Sequence, residues 1–270
     1  MWRRFINSEI MARVEQMELS FNKYGLDPYG ISKDHLGLFF TFLSKLYRHY
    51  FSVTVSGQEN IPPSGRAMVV GNHSGGIAVD GGMVIASLFL ELNPPRLGQG
   101  MVEKFINALP FASIWSNRLG QLTGLPEHAT HLLEDERLLL VFPEGAHGTA
   151  KLYKDRYSLV RFGTGFVRLA LQTHTPIIPF AFIGGGEVFP TISNLRTLGR
   201  WIGLPYIPIT PYLLPIPLPK ACQIHYGKPM IFEGDGFEND DVIEGYAEQV
   251  KEAIADLIEK GKQARLHART

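Results

Sequence analysis

The residues with the clearest chemical potential lie in Val69-Val70-Gly71-Asn72-His73-Ser74-Gly75-Gly76-Ile77-Ala78-Val79-Asp80. An imidazole titrates near neutral pH and can take a proton from a hydroxyl, and a carboxylate beside it fixes its tautomer and stabilises the imidazolium. The β-branched run breaks into a glycine-rich loop and then an apolar helix over 83–90. That order puts His73 and Asp80 at the carboxyl end of a strand, the edge at which α/β folds bind ligands. A purely structural strand-to-helix turn is the competing reading, and for a lone His near a lone Asp it is the commoner one.

The elements that must position these residues follow from the apolar patterning. Leu138-Leu139-Leu140-Val141-Phe142 reads as a buried strand that stops at Pro143-Glu144-Gly145, and 176–183 as another that stops at Gly184-Gly185-Gly186-Glu187. Segments 127–136 and 162–172 suit helices, 53–55 and 66–71 suit strands, and 57–60 a turn. Strands alternating with helices predict an α/β fold with a largely parallel central sheet flanked by helices, so that several strand ends share one edge. Val242, Ile243, Tyr246, Val250, Ile254, Leu257 and Ile258 mark an amphipathic C-terminal helix before a basic tail. Residues 97–124 alternate short apolar and polar pieces around Pro110.

Ahead of the first strand, Ile6, Ile10, Val14, Met17 and Phe21 recur at helical spacing and predict an amphipathic helix over 2–21. A second, very apolar helix is expected over 36–51, too short to span a bilayer. It either covers the core or lies in a membrane interface with Lys45, Arg48 and its tyrosines at headgroup level. The expected division is an N-terminal helical membrane-associating segment, 1–51, before a single α/β domain, 52–270.

Composition narrows the function further. The 270 residues carry 26 Lys+Arg and 26 Asp+Glu, so no net field gathers nucleic acid. One cysteine, Cys222, excludes an internal disulfide framework and fits a reducing compartment. No cleavable signal is expected after Met1-Trp2-Arg3-Arg4, and the longest uncharged apolar candidate, 201–219, carries six prolines and cannot be a regular helix. His128 and His131 lack a third ligand nearby, so no metal is expected; Gly184-Gly185-Gly186 lacks the Lys-Ser/Thr of a phosphate loop and reads as a turn; His225 reads as a satisfied strand residue.

Four blocks in this order resemble the glycerolipid acyltransferases of the lysophosphatidate (1-acylglycerol-3-phosphate) O-acyltransferase type. They are Gly57-Gln58-Glu59-Asn60-Ile61-Pro62 with Asn72-His73 and a following Asp; Pro110-Phe111 with Arg118-Leu119-Gly120; Phe142-Pro143-Glu144-Gly145; and Thr175-Pro176-Ile177-Ile178-Pro179. The resemblance spans roughly 50–230. It implies transfer of a fatty acyl group from an acyl thioester, on coenzyme A or acyl carrier protein as co-substrate, to a lipid hydroxyl, with no further cofactor. It casts His73 as base, Asp80 as its partner, and Asn72, Phe142, Pro143, Glu144, Gly145 and His147 around the acceptor. It also implies a lipid acceptor at a membrane surface and a peripheral protein on the cytoplasmic face.

The chain departs from the family pattern in three places. Six residues separate His73 from Asp80 where four are usual, an excess that the flexible Gly75-Gly76 could absorb as an extra turn. The third block continues Ala146-His147 instead of Thr-Arg, and the second reads Gln121-Leu122-Thr123-Gly124-Leu125 where a basic residue is usual. The missing cations are the family's expected partners of an acceptor phosphate, so an acceptor with less or no phosphate is favoured, unless Lys151, Lys154, Arg156 or Arg161 restores the charge. Rival readings are a catalytically silent lipid-binding or transfer protein on the same scaffold, and a thioesterase or lipase-like hydrolase lacking a Gly-x-Ser-x-Gly elbow.

Overall fold

A computed structural model describes residues 2–102 and 112–267. Pro110 and Phe111 of the second block lie outside the described residues, as do the last three residues of the tail. In chain order the elements are α1 (Ser8–Gln16), α2 (Lys33–Lys45), β1 (Thr54–Ser56), β2 (Ala67–Gly71), α3 (Val79–Leu90), β3 (Gly98–Val102), α4 (Ala112–Arg118) and β4 (Leu122–Thr123). There follow α5 (Pro126–Glu134), β5 (Leu138–Val141), α6 (Ala146–Thr149), α7 (Gly165–Gln172), β6 (Ile177–Ile183), α8 (Gly185–Val188), β7 (Ser193–Leu195), α9 (Arg196–Trp201), β8 (Ile207–Ile209), β9 (Gln223–Tyr226) and α10 (Asp240–His267).

The main sheet has the strand order β1-β9-β6-β2-β5-β3-β4. β2 lies parallel to β5 and β6, and β3 parallel to β5 and β4, so the carboxyl ends of these five strands meet at one edge. β9 returns antiparallel to β6 and carries β1 alongside. The fold is thus the expected α/β sandwich with a mostly parallel sheet.

Both sheet faces are covered, which is why β2, β5 and β6 read as unbroken apolar runs. Ala67, Val69, Leu140, Ile178 and Phe180 point into one core layer, shared with residues of α1, α2 and α3. Met68, Val70, Leu139, Ile177 and Ala181 point into the other, with residues of α5, α7 and α10.

The N-terminal helices differ from the expected pair. Asn7 interrupts the first: its Oδ1 accepts from the backbone N–H groups of Glu9 and Ile10, capping α1 at Ser8 after a short 3-10 turn. The chain then leaves the helix at Met17, so Phe21 lies beyond it. The second helix ends as α at Lys45 and runs on through a π turn, Leu46–Tyr50. One face of it covers the core: Leu36, Phe40, Leu43, Tyr47 and Phe51 are core residues, and Phe40 stacks on Phe89 of α3 with centroids 3.8 Å apart, while Phe42 on the other face is exposed. Arg13 ties α1 to the same helix by donating to the carbonyls of Phe89 and Leu92. A boundary at 51/52 therefore divides two stretches that share one core layer.

Three further differences concern short elements. Residues 97–124 contain β3 and β4, too short for alternation to reveal. Gly184, with φ +112°, begins a one-turn helix, α8, where a plain turn is expected. Inside the Pro-rich stretch, β8 pairs antiparallel with β7 in a separate two-stranded sheet, where Pro208 removes no ladder bond from a third strand.

Burial gives the aromatic helix a simple test. Phe40→Ala should cost about 3–5 kcal/mol, a buried-aromatic truncation, whereas Phe42→Ser on the exposed side should stay within about 0.5 kcal/mol. Urea unfolding of the two variants measures both.

Candidate active site

β2 ends in Gly71, where a Cβ would stand 2.4 Å from the Phe180 ring, so only glycine lets β6 bring that ring under the site. Asn72 follows and takes over the ladder: its Oδ1 accepts from Phe182 N–H at 2.7 Å and its Nδ2 donates to Phe182 C=O at 3.0 Å. Expected against the acceptor, Asn72 is buried and its amide is occupied by β6.

His73 then emerges at the shared strand edge. Its Nδ1 lies 2.8 Å from Asp80 Oδ2, and the Phe142 ring stacks on the imidazole with centroids 4.1 Å apart at 18°. Asp80 is 0 % exposed, in the first turn of α3; Oδ2 also accepts from Ser74 N–H at 2.7 Å and Oδ1 from Gly81 N–H at 2.8 Å. With Nδ1–H donated to the carboxylate, Nε2 keeps the lone pair, and among the described residues no hydrogen bond reaches it.

The six-residue separation closes because Gly75 and Gly76 both take positive φ, +86° and +55°. Tight backbone contacts from Ile77 to Gly75 and from Val79 to Ile77 coil the excess residues, and Gly76 N–H donates to Thr149 C=O at 3.0 Å. Neither glycine tolerates a side chain: a Cβ on Gly75 would lie 2.5 Å from Gly185 O, and one on Gly76 2.4 Å from the Phe189 ring. The Gly184–Gly186 run thus gives the His73 loop the close backbone approach it needs.

The third block presses on the histidine from the β5 side. Glu144 is buried, and its carboxylate accepts from His73 N–H at 2.8 Å, from Val160 N–H at 2.8 Å and from Lys151 Nζ at 2.9 Å through each oxygen. Lys151 also donates to Ser158 C=O at 2.9 Å. Glu144 was expected to hold the acceptor; these contacts show it clamping the His73 backbone. Gly145 takes φ +52° and ψ −145°, a glycine conformation with open space where a Cβ would be, while a Cβ on Gly148 would lie 2.6 Å from that of His73. Pro143 C=O accepts from Gly163 N–H at 2.9 Å, and His147 is exposed on α6.

Three of the four candidate substitute cations have carboxylate partners. Lys151 holds Glu144, Arg156 lies 3.2 Å from Glu187, and Arg161 reaches Glu244 at 3.3 Å; Lys154 is simply exposed. In the second block Arg118 donates to Gly30 C=O, and Gln121 accepts from Gly100 N–H and donates to Gly98 C=O, serving β3. Cys222 is buried, which pushes its thiol up to about 12. In β9, His225 Nδ1 is 2.7 Å from Ser56 Oγ, and burial lowers its pKa, as befits a neutral strand residue.

The model of the Acyltransferase family matches residues 52–183, the stretch holding His73, Asp80 and Glu144. Residues 52–183 thus form an acyltransferase-family domain. An uncharacterized protein of Mycobacterium tuberculosis (strain H37Rv) is 36 % identical over 221 residues, covering 79 % of this chain and 60 % of its own length. An uncharacterized protein of Mycobacterium leprae is 34 % identical over 79 % of this chain and 59 % of itself. The chain thus spans about 60 % of the length of those relatives. The crystal structure of the 1-acyl-sn-glycerophosphate acyltransferase PlsC from Thermotoga maritima shares the fold, with a TM-score of 0.55 at 18 % identity over 85 % of this chain and 82 % of that one.

Two contributors escape sequence reasoning. The sequence offers Lys151 only as a substitute cation for substrate, and nothing in its spacing marks it as the partner of Glu144. Tyr206 belongs to the Pro-rich stretch, yet its hydroxyl reaches Gly76 C=O at 3.3 Å and Thr149 Oγ1 at 2.5 Å. Its burial raises the phenol pKa, so it stays a neutral hydrogen-bonding group.

Breaking the clamp has a calculable cost. Lys151→Met leaves the buried Glu144 carboxylate without its cation and should destabilise the protein by about 3–5 kcal/mol, and adding Glu144→Gln should recover part of the loss. Chemical denaturation of the single and double variants decides it. Cys222, protonated and buried, should resist iodoacetamide at pH 8 in the folded protein and react fully once unfolded.

Proposed function

We propose that this protein is an O-acyltransferase that moves a fatty acyl group from an acyl thioester, carried on coenzyme A or acyl carrier protein, to the hydroxyl of a lipid. The observation that carries the proposal is the 2.8 Å contact between His73 Nδ1 and a fully buried Asp80 at the shared strand edge. His73 Nε2 takes the proton of the acceptor hydroxyl as its oxygen attacks the thioester carbonyl. The tetrahedral intermediate then collapses, the C–S bond breaks, and the imidazolium returns the proton to the departing thiolate. A thiolate leaves readily, so the protein needs no nucleophile of its own.

The acceptor in this reading is a neutral glycerolipid, a long-chain alcohol or a lysolipid not held by its phosphate, in contrast to the lysophosphatidate-type acceptor of related chemistry. Support comes from Ala146-His147 in the third block, from Gln121 bonded to β3, and from the carboxylate partners of Lys151, Arg156 and Arg161. Such an acceptor resides in a bilayer, and we place the enzyme peripherally at a membrane's cytoplasmic face. Among the described residues no helix is long and apolar enough to cross a membrane.

If His73 is the base, His73→Ala should lower turnover by on the order of 10²–10⁴ while leaving the fold intact. Asp80→Asn keeps the shape but favours the wrong tautomer, a change that cost about 10⁴ in a serine protease, and the double variant should lose little more than either single one. Thiol release and labelled-ester formation give both rates; full activity in His73→Ala would reject the mechanism. Lysophosphatidate, compared with a matched acceptor lacking phosphate, should offer no advantage in kcat/KM. A strong preference for it would show that other groups rebuild a phosphate site.

A further inference from the structure

Residues 191–216 invert the polarity of an ordinary surface segment. Polar and small groups face the body of the protein: Thr191 and Thr210 are buried, Asn194 Nδ2 donates to Ala150 C=O at 2.6 Å, and Gly199 lies against the Tyr206 backbone. Large apolar groups face outward: Ile192, Leu195, Leu198, Trp201, Ile202 and the run Leu213, Leu214 and Ile216 are exposed, Trp201 by 84 %. These side chains belong to neither core layer. Exposed apolar surface on this scale marks an interaction site, because leaving it in water forfeits the burial energy that otherwise organises the chain.

The charge pattern selects the occupant. No Asp or Glu occurs between Glu187 and Glu233, whereas Arg196, Arg200 and Lys220 are exposed among or beside the apolar side chains. The whole chain balances 26 basic against 26 acidic residues, so this excess of positive charge is local. A tryptophan and aliphatic side chains at acyl-chain depth, with arginines and a lysine reaching headgroups, match an anionic lipid surface.

The position of the segment gives the contact a purpose. Tyr206 bonds to the loop that follows His73 and to Thr149 beside the Glu144 turn, and Asn194 bonds to Ala150. The segment is therefore fastened to both loops that shape the site. We infer that the outer face of 192–216 docks on an anionic bilayer and sets the His73 edge of the sheet at the headgroup level. The inference borrows from the acyltransferase reading only the reason for docking; the binding itself is measured without turnover.

Flotation of the full chain with phosphatidylcholine vesicles, with and without phosphatidylglycerol, tests it. The wild type should float best with phosphatidylglycerol. Leu198→Ser/Trp201→Ser/Ile202→Ser should lower the partition coefficient at least about tenfold. Arg196→Gln/Arg200→Gln should lower it by on the order of tenfold on anionic vesicles and scarcely change it on neutral ones. Phe42→Ser should float as the wild type does, and both multiple variants should keep acyl transfer to detergent-dispersed acceptor. Unchanged flotation of the triple variant would overturn the inference. So would a wild-type chain that ignores vesicles and elutes as a dimer that the triple variant converts to monomer, since a second copy would then cover the face. Flotation through this face by a protein without transferase activity would uphold docking and reject the proposed reaction.

Discussion

A carboxylate with no access to water must be met by donors on the protein, and the site grows out of how that demand is satisfied at Asp80. His73 Nδ1 supplies one donor, and the Ser74 and Gly81 backbones supply two more. Each donor sits at a different point of the strand-to-helix turn, so meeting the demand fixes the loop and the imbalance of losing one would be felt along all of it. Glu144 repeats the device from the neighbouring strand, bonded to the same histidine's backbone and neutralised by Lys151. The two carboxylates therefore hold His73 by its ring and by its main chain.

Parallel strands make this convergence possible. β2, β5 and β6 each end in a short loop at one edge, and the loops touch because glycines stand at their contacts: Gly71 under Phe180, Gly75 against Gly185, Gly148 against His73. The aromatic ring of Phe142 closes the side of the imidazole that the carboxylates leave open. Replacing any of these glycines would push one loop off another before it touched the His73–Asp80 contact.

The sequence made the central strands and the edge legible, because runs buried on both faces end abruptly in glycine, proline and charge. The His73 to Asp80 pairing was legible only as a possibility, since the separation departs from the familiar one and the compensating backbone turns leave no trace beyond two glycines. Lys151 and Tyr206 were opaque for another reason. Their partners lie across loops whose relative placement is set by the sheet, and residue spacing holds no record of it. Burial of the aromatic helix was equally hidden: Phe39, Phe40 and Phe42 are alike in sequence, and only the crossing of α2 over α3 separates Phe40, stacked on Phe89, from Phe42, left in solvent.

The sheet order also dictates when the molecule can assemble. β1, at Thr54–Ser56, has among the described residues its only main-sheet neighbour in β9, at Gln223–Tyr226, and β9 in turn hangs on β6. β2 likewise waits for β5 and β6 on either side. Contacts this distant along the chain make loop closure the slow part of folding. A ribosome-bound chain that has passed β2 but not yet released β6 holds His73 with no edge to stand on. One that stops short of β9 leaves a flank of β6 and all of β1 unpaired, a template for association with other chains. The sheet that carries the His73 edge is thus completed late in synthesis, after the last strand has crossed back.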